Sequence, residues 1–233
     1  MHLAAEMKDA ELQKIIIEND KIDINITDEL DNFPLSLAIQ NRNKSFIEAI
    51  IEDSRIDINI KDNLGCTPLM TAIEWGNDDV AYFLMEPPKI DIKLKDKKNN
   101  NYLHIACRWK DTGIISSLIS KGVDINAKND EGNTPLHIAI MRKNAIAVTE
   151  ILKSSPNIAI NELNKLGKAP IHIACECDSY KKGGEIIKLL LSYSGIDVNI
   201  RDLEGRSPLM IARENNNSNI VDYLMKDGRT NLK

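Results

Sequence analysis

Apolar residues return along this chain at a spacing close to 34, and one small residue returns with them. The anchor is the apolar residue that follows the proline of Pro-Leu or Pro-Ile, or the residue standing in that place. Anchors fall at Met1, Leu35, Leu69, Leu103, Leu136, Ile171 and Leu209, with successive gaps of 34, 34, 34, 33, 35 and 38 residues. Alanine follows three residues after every anchor, at Ala4, Ala38, Ala72, Ala106, Ala139, Ala174 and Ala212. Anchor, alanine and the next residue, as in Leu69, Ala72 and Ile73, make an i, i+3, i+4 stripe, which is one face of a helix. Alanine in that stripe lets helix axes approach. A second stripe follows in each repeat: Leu12/Ile15/Ile16, Phe46/Ala49/Ile50, Val80/Phe83/Leu84, Ile115/Leu118/Ile119, Val148/Ile151/Leu152, Ile186/Leu189/Leu190 and Ile220/Tyr223/Leu224. Each repeat is therefore predicted to be a pair of helices.

The polar positions punctuate these pairs. Asp or Asn opens a tight bend before the first helix, and glycine closes it at Asp62 to Gly65, Asn129 to Gly132, Asn164 to Gly167 and Asp202 to Gly205. Glycine takes a left-handed backbone without steric cost; where it is missing the chain places Asp31 and Asn99, the residue types that best tolerate that conformation. Thr67, Thr134 and Ser207 stand at N-cap positions, followed by proline at the first helical position. Pro34, Pro68, Pro135, Pro170 and Pro208 hold that place, and Tyr102 departs from it. After the second helix comes an alternating segment, Ile22 to Asn25, Ile56 to Asn59, Val123 to Asn126 and Ile196 to Asn199, which reads as a short strand-like arm. Lys21, Arg55, Lys89 or Asn157 stands where a glycine would be usual after the second helix, so those helices are expected to end differently. Between the helices of the sixth repeat, residues 178 to 184 are expected to form an irregular loop.

The runs Thr67 to Met70, Thr134 to Ala139, Ala169 to Ala174, Ser207 to Ala212 and Lys121 to Asn126 resemble the ankyrin repeat, with its period of about 33 residues and Thr-Pro-Leu-His-x-Ala signature. The resemblance covers essentially the whole chain. It implies an all-α repeat solenoid in which antiparallel helix pairs stack and β-hairpin fingers project, the fingers and first helices lining a concave groove. On this alignment a single domain spans 1–233, with about seven repeats at 1–27, 28–61, 62–95, 96–128, 129–163, 164–201 and 202–233. The first repeat has no finger and starts inside a first helix, which leaves one face without an obvious polar cap and suggests a piece of something longer.

Composition narrows the function. Hydrophobic residues at 42% and charged ones at 28% support a folded core, while aromatics at 4% leave it to Ile, Leu and Ala. The net charge of -5 has the wrong sign for a general nucleic-acid binder. No stretch approaches the roughly 18 apolar residues that cross a bilayer, so membrane insertion is not expected. Cys66, Cys107, Cys175 and Cys177 form no disulfide framework in a chain of this length, and an intracellular, cytoplasmic setting is expected.

Candidate chemistry is sparse. His2, His104, His137 and His172 all follow an anchor directly, and position in the repeat explains them as structural. No serine or cysteine sits in a nucleophile motif and no phosphate-cradling glycine loop is present, so no catalytic residue is assigned and the chain is read as not an enzyme. His172, Cys175 and Cys177 are the one run of metal-type donors. They lack a fourth ligand; His104 and Cys107 would lie about 20 Å away at helix spacings of 8–10 Å, and Cys107 and Cys175 fall on the core stripe. No metal or cofactor is assigned.

The positions the repeat leaves free carry the remaining signal. Trp75 and Trp109 occupy the same free place at the end of the first helix in adjacent repeats, flanked by Glu74 and Arg108, with Met141 and Arg142 one repeat further on. Side by side on the concave face they would make a binding hot spot, since Trp, Arg and Met are enriched there; packing of each ring on its own repeat is equally open. Leu30, Leu64, Leu166 and Leu203 occupy finger turns where polar residues are usual, and the fourth finger, with Lys93, Lys95, Lys97 and Lys98, is locally basic. These features predict a monomeric protein-protein interaction scaffold whose partner-binding residues are Trp75, Trp109, Glu74, Arg108, Met141, Arg142, Leu64, Lys97 and Lys98. The alternative is a regulatory or targeting segment of a larger enzyme or membrane protein. Similarity to hydroxylated ankyrin asparagines also marks Asn126, in Asp124-Ile-Asn126, as a modification candidate.

Overall fold

The computed structural model describes residues 1–86, 90–109, 113–154, 157–177 and 183–231. Among them the chain is all-helical. Paired helices follow in order: α1 (His2–Glu6) and α2 (Ala10–Ile17), α3 (Pro34–Gln40) and α4 (Lys44–Glu52), α5 (Pro68–Glu74) and α6 (Asp78–Met85), α7 (Tyr102–Ala106) and α8 (Gly113–Ser120). The series continues with α9 (Pro135–Met141) and α10 (Ala145–Ser154), α11 (Pro170–Glu176) and α12 (Gly183–Ser192), α13 (Pro208–Glu214) and α14 (Ser218–Lys226). The chain forms two compact units, Met1–Ile105 and Ala106–Lys233.

In the first unit α1, α3 and α5 pack in series, α2 packs on α4, and each first helix packs on its own second helix. In the second unit α9, α11 and α13 pack in series and so do α8, α10, α12 and α14. All seven repeat alanines are buried, as close packing of first helices requires. Prolines start five of the first helices as predicted. The hydroxyls of Thr67 and Ser207 accept from the amides of Met70 (3.3 Å) and Met210 (3.4 Å). Thr134 differs: its hydroxyl lies 2.8 Å from His137 Nδ1. Tyr102, in place of proline, is buried with its hydroxyl 3.1 Å from Thr67 Oγ1, and burial raises its pKa to about 12.

In α4, α6 and α12 the buried face is turned by one residue from the predicted stripe. Phe46, Ile47 and Ile50, Val80, Ala81 and Leu84, and Ile186, Ile187 and Leu190 are buried, while Phe83 at the i+3 place is exposed. In α2 the face turns too: Leu12 and Ile15 are exposed, and Gln13 is buried instead, donating to the carbonyls of Ala4 (3.1 Å) and Met7 (2.6 Å). Between first and second helices the chain reverses at a left-handed residue, Arg42 (φ 52), Gly76 (φ 59), Lys143 (φ 53) or Asn216 (φ 54).

The expected β-hairpin fingers and strand-like arms are turns, with no strand among the described residues. Each finger closes with two backbone bonds: the opening Asp or Asn amide donates to the carbonyl four residues on, as in Asp62 to Cys66 (3.0 Å), and its own carbonyl accepts the amide three residues on, as from Gly65 (2.9 Å). The opening side chain then accepts two further amides: Asp62 Oδ1 takes those of Leu64 (2.9 Å) and Cys66 (2.8 Å). These bonds do the work of a strand partner. The left-handed position falls where predicted, at Asp31 (φ 58), Gly65 (φ 76), Asn99 (φ 59), Gly132 (φ 73), Gly167 (φ 67) and Gly205 (φ 74). The arms alternate because Ile24, Ile56, Ile58, Ile196 and Val198 are buried, yet Asn25 and Asn59 donate their amides to Asp23 and Asp57 side chains in turns.

Two helix ends are closed from the next repeat. Arg55 Nη2 donates to the carbonyl of Ile17 (2.5 Å) at the end of α2, and Arg229 Nη2 to that of Leu191 (2.7 Å) in α12. Asp53 and Asp227 orient these guanidinium groups at 2.6 and 2.7 Å. Each arginine thus satisfies helical carbonyls that a C-terminal glycine would otherwise close. Lys89 lies outside the described residues, as does the expected loop up to residue 182; Gly183 and Gly184 already belong to α12.

Candidate functional site

The histidines are held as structural bridges. His137 Nδ1 accepts the Thr134 amide (3.1 Å), and its Nε2–H donates to the Lys168 carbonyl in the next repeat (3.1 Å). His172 repeats the arrangement, accepting from Ala169 (3.0 Å) and donating to Ile200 (3.0 Å). His2 Nε2–H donates to Asn32 (2.9 Å), and His104 is buried with the Asn101 amide directed at Nδ1 (3.2 Å). In His137 and His172 a neutral ring satisfies both roles of a one-donor, one-acceptor imidazole. Burial pushes the His137 pKa down to about 4 and lowers that of His172 as well.

All four cysteines are free, and Cys107 and Cys175 are fully buried. Burial raises both thiol pKa values, so neither is poised as a thiolate. Among the described residues no group of three His, Cys, Asp or Glu side chains is placed to hold a metal ion. No described helix is long and apolar enough to cross a membrane.

Trp75 and Trp109 each show about half their surface to solvent, at 52% and 45%, although their main chains are pinned. The Trp75 carbonyl accepts from Arg42 Nη2 (3.3 Å) in the first unit. The Trp109 carbonyl accepts from Asn144 Nδ2 (2.5 Å) in the second, and the same amide reaches the Cys107 carbonyl (3.3 Å). About half of each ring is covered and half is offered to solvent. Glu74 and Arg108 beside them are partly exposed; Met141 and Arg142, at the end of α9 in the second unit, are exposed. Leu64, Lys97 and Lys98 lie exposed in the first unit, and the Lys97 amide donates to the Leu64 carbonyl (2.9 Å).

Two rows of asparagine tie repeats together. At the start of second helices Asn43 Nδ2 donates to Ala5 (2.8 Å) and Met7 (2.6 Å), and Asn217 Nδ2 to Cys175 (3.0 Å) and Cys177 (3.1 Å). Asn77 makes one long reach to Ile39 (3.5 Å). In the arms Asn126 Nδ2 donates to the Asn157 carbonyl (2.9 Å) while its Oδ1 accepts the Ala159 amide (2.9 Å), and Asn161 does the same with Gly195 and Asp197 (both 2.8 Å). The recurrence of Asn eight residues after an anchor, at 43, 77, 144 and 217, was the available signal. The Asn126 amide marked for modification is thus already bonded at both ends.

Similarity to known proteins agrees with this architecture. The family model described as ankyrin repeats (3 copies) matches residues 1–96, 103–202 and 148–233. The crystal structure of an ankyrin repeat domain from Acinetobacter baumannii AYE matches with a TM-score of 0.75 at 26% identity, covering 84% of this chain and 97% of that one. Alpha-latrotoxin-Lg1a of Latrodectus geometricus is 34% identical over 119 residues, 50% of this chain and 8% of the relative. Alpha-latrotoxin-Lh1a of Latrodectus hasselti is 40% identical over 74 residues, 32% of this chain and 5% of the relative. Fourteen helices among the described residues, buried alanines, left-handed finger turns and a family match over residues 1–96 and 103–233 lead to one assignment: the chain belongs to the ankyrin repeat family.

Proposed function

We propose that this chain is a non-enzymatic, monomeric scaffold that binds another protein, with neither nucleic acid nor membrane insertion involved. Ankyrin repeats are in general protein-interaction modules. The observation that carries the reading is the pair Trp75 and Trp109, half-exposed rings at one repeat position whose main chains are held by the neighbouring repeat. Such rings lose little ordering entropy on association. Glu74 joins Trp75 in the first unit; Arg108, Met141 and Arg142 join Trp109 in the second, and Leu64, Lys97 and Lys98 extend contact along the fingers. Four free cysteines, two of them buried, suit a reducing cytoplasm.

Affinity capture from cell extract tests the reading. Trp75→Ala with Trp109→Ala is expected to lose the captured partner while keeping its helical circular dichroism; undiminished capture would place recognition elsewhere. A second reading, a regulatory or targeting segment of a larger enzyme or membrane protein, rests on the matched region spanning only 8% and 5% of the two latrotoxins.

A further inference from the structure

Three consecutive finger turns of the first unit have the same bonding. Asp28, Asp62 and Asp96 each accept, at Oδ1, the amide two residues on, from Leu30 (2.9 Å), Leu64 (2.9 Å) and Lys98 (2.8 Å). Each also takes the amide four residues on, from Asn32, Cys66 and Asn100 (2.8 Å in all three). The turns are tied to one another as well. Asn63 Nδ2 donates to the Leu30 carbonyl (3.2 Å) and the Lys97 amide to the Leu64 carbonyl (2.9 Å). Leu30, Leu64 and Lys98 therefore stand at equivalent places in a braced row, not on three independent loops.

Two properties of the row require explanation. Leu30 and Leu64 are 70% and 64% exposed, with no apolar cover from the turns that carry them. Next to them the chain gathers Lys61, Lys93, Lys97 and Lys98, all exposed, in a protein of net charge -5. Among the described residues none of these four ammonium groups is paired with a carboxylate; Lys61 Nζ donates to the Lys95 carbonyl (2.8 Å). Asp96, the acid within the basic finger, is spent inward, its Oδ2 accepting Asn100 Nδ2 (2.8 Å). The opposite end of the row is acidic, since Glu29 and Asp31 flank Leu30 and are exposed.

We propose that this finger row docks a peptide segment of the partner protein that is apolar at one end and acidic at the other. Its apolar residues lie over Leu30 and Leu64, and its carboxylates meet Lys97, Lys98 and the lysines behind them. The inference rests on the scaffold reading and names the chemistry of what is bound. Successive repeats stand about 8–10 Å apart, which a peptide in the polyproline II conformation covers in three residues while returning every third side chain to the same face. Two apolar residues three positions apart, then acids, fit the row in register. A uniformly anionic membrane surface fits less well, because Glu29 and Asp31 would face it with like charge.

The probe is a fluorescein-labelled synthetic peptide with two leucines three positions apart followed by a run of glutamates, titrated against the full chain by fluorescence anisotropy. Saturable binding that weakens with salt is expected. Lys97→Glu with Lys98→Glu, and separately Leu30→Ser with Leu64→Ser, are expected to weaken it by about tenfold or more at unchanged circular dichroism and melting. No saturable binding to the wild-type chain, equal affinity in the charge-reversed variant, or stronger binding to phosphatidylserine vesicles than to the peptide overturns the inference. Trp75→Ala with Trp109→Ala serves as the control and is expected to bind the peptide as the wild type does. If that variant loses partner capture while the peptide never binds, the finger row fails and the scaffold reading stands. If the peptide binds while capture ignores the tryptophans, the row stands and the tryptophan site fails.

Discussion

The Lys97 amide donates to the Leu64 carbonyl at 2.9 Å, and this contact sets the residue beside Leu64. A Cβ on Gly65 would lie 2.7 Å from Lys97 N, closer than carbon and nitrogen can approach. Gly65 also sits at φ +76, so two independent constraints meet at one position. Gly132 meets Lys165 in the same way, at 2.8 Å, in the second unit.

Gly205 supplies the control for that contact. It has φ +74 but no heavy atom within 4 Å of an added Cβ. Gly205→Ala is expected to cost about 1 kcal/mol, the left-handed penalty alone, and Gly65→Ala at least about 2 kcal/mol because the turns must also separate. Urea denaturation of both variants measures the difference. Equal losses would mean that the stacked turns yield without cost.

Acid should destabilise the protein before its carboxylates titrate. His137 is held neutral, its pKa pushed down to about 4 from an ordinary 6.5, with His172 lowered in the same sense. The unfolded chain takes up these protons first, so stability is complete above about pH 6.5 and falls as pH drops towards 4, by about 3 kcal/mol for His137. Asp28, Asp53, Asp202 and Asp227 have lowered pKa values, so their contribution is lost only as pH falls below the usual carboxylate range. Urea midpoints across pH 4 to 7, with His137 followed by NMR, check the window. A flat profile there would contradict the neutral bridge.

Asn144 is expected to matter more than Asn77. Its amide serves two carbonyls, at 3.3 and 2.5 Å, and is buried, whereas Asn77 reaches one at 3.5 Å. Asn144→Ala removes both bonds and should cost about 2 kcal/mol, against less than about 1 kcal/mol for Asn77→Ala. Thermal melting compares them, and the reverse order would refute the bridging role.

Local backbone demands were legible in the sequence. Asp31 and Asn99 were expected in left-handed turns from residue type alone, and stand at φ 58 and 59. The same conformation at Arg42 and Lys143 was not legible, because neither residue favours it; there the following amide closes back on the helix end, Asn43 to Ala38 and Asn144 to Ala139 (both 2.9 Å). The face of α6 was misplaced by one residue because Ala81 is buried yet barely registers in an apolar pattern, while Phe83 registers strongly and is exposed. The fingers read as hairpins by resemblance, but side-chain acceptors such as Asp62 replace a ladder. At the candidate surface the exposure of the tryptophans was foreseeable. The asparagine that pins Trp109 left a signal in the recurrence of Asn eight residues after an anchor, but the carbonyl it bonds was not legible, since that lies in the preceding repeat.

The most direct test of the account is the affinity of the captured partner for the wild-type chain and for Trp75→Ala with Trp109→Ala, measured by isothermal titration calorimetry. The account predicts a loss of about 2 kcal/mol or more, a rise in Kd of roughly thirtyfold, at unchanged melting temperature. An unaltered Kd in a folded double variant would contradict it.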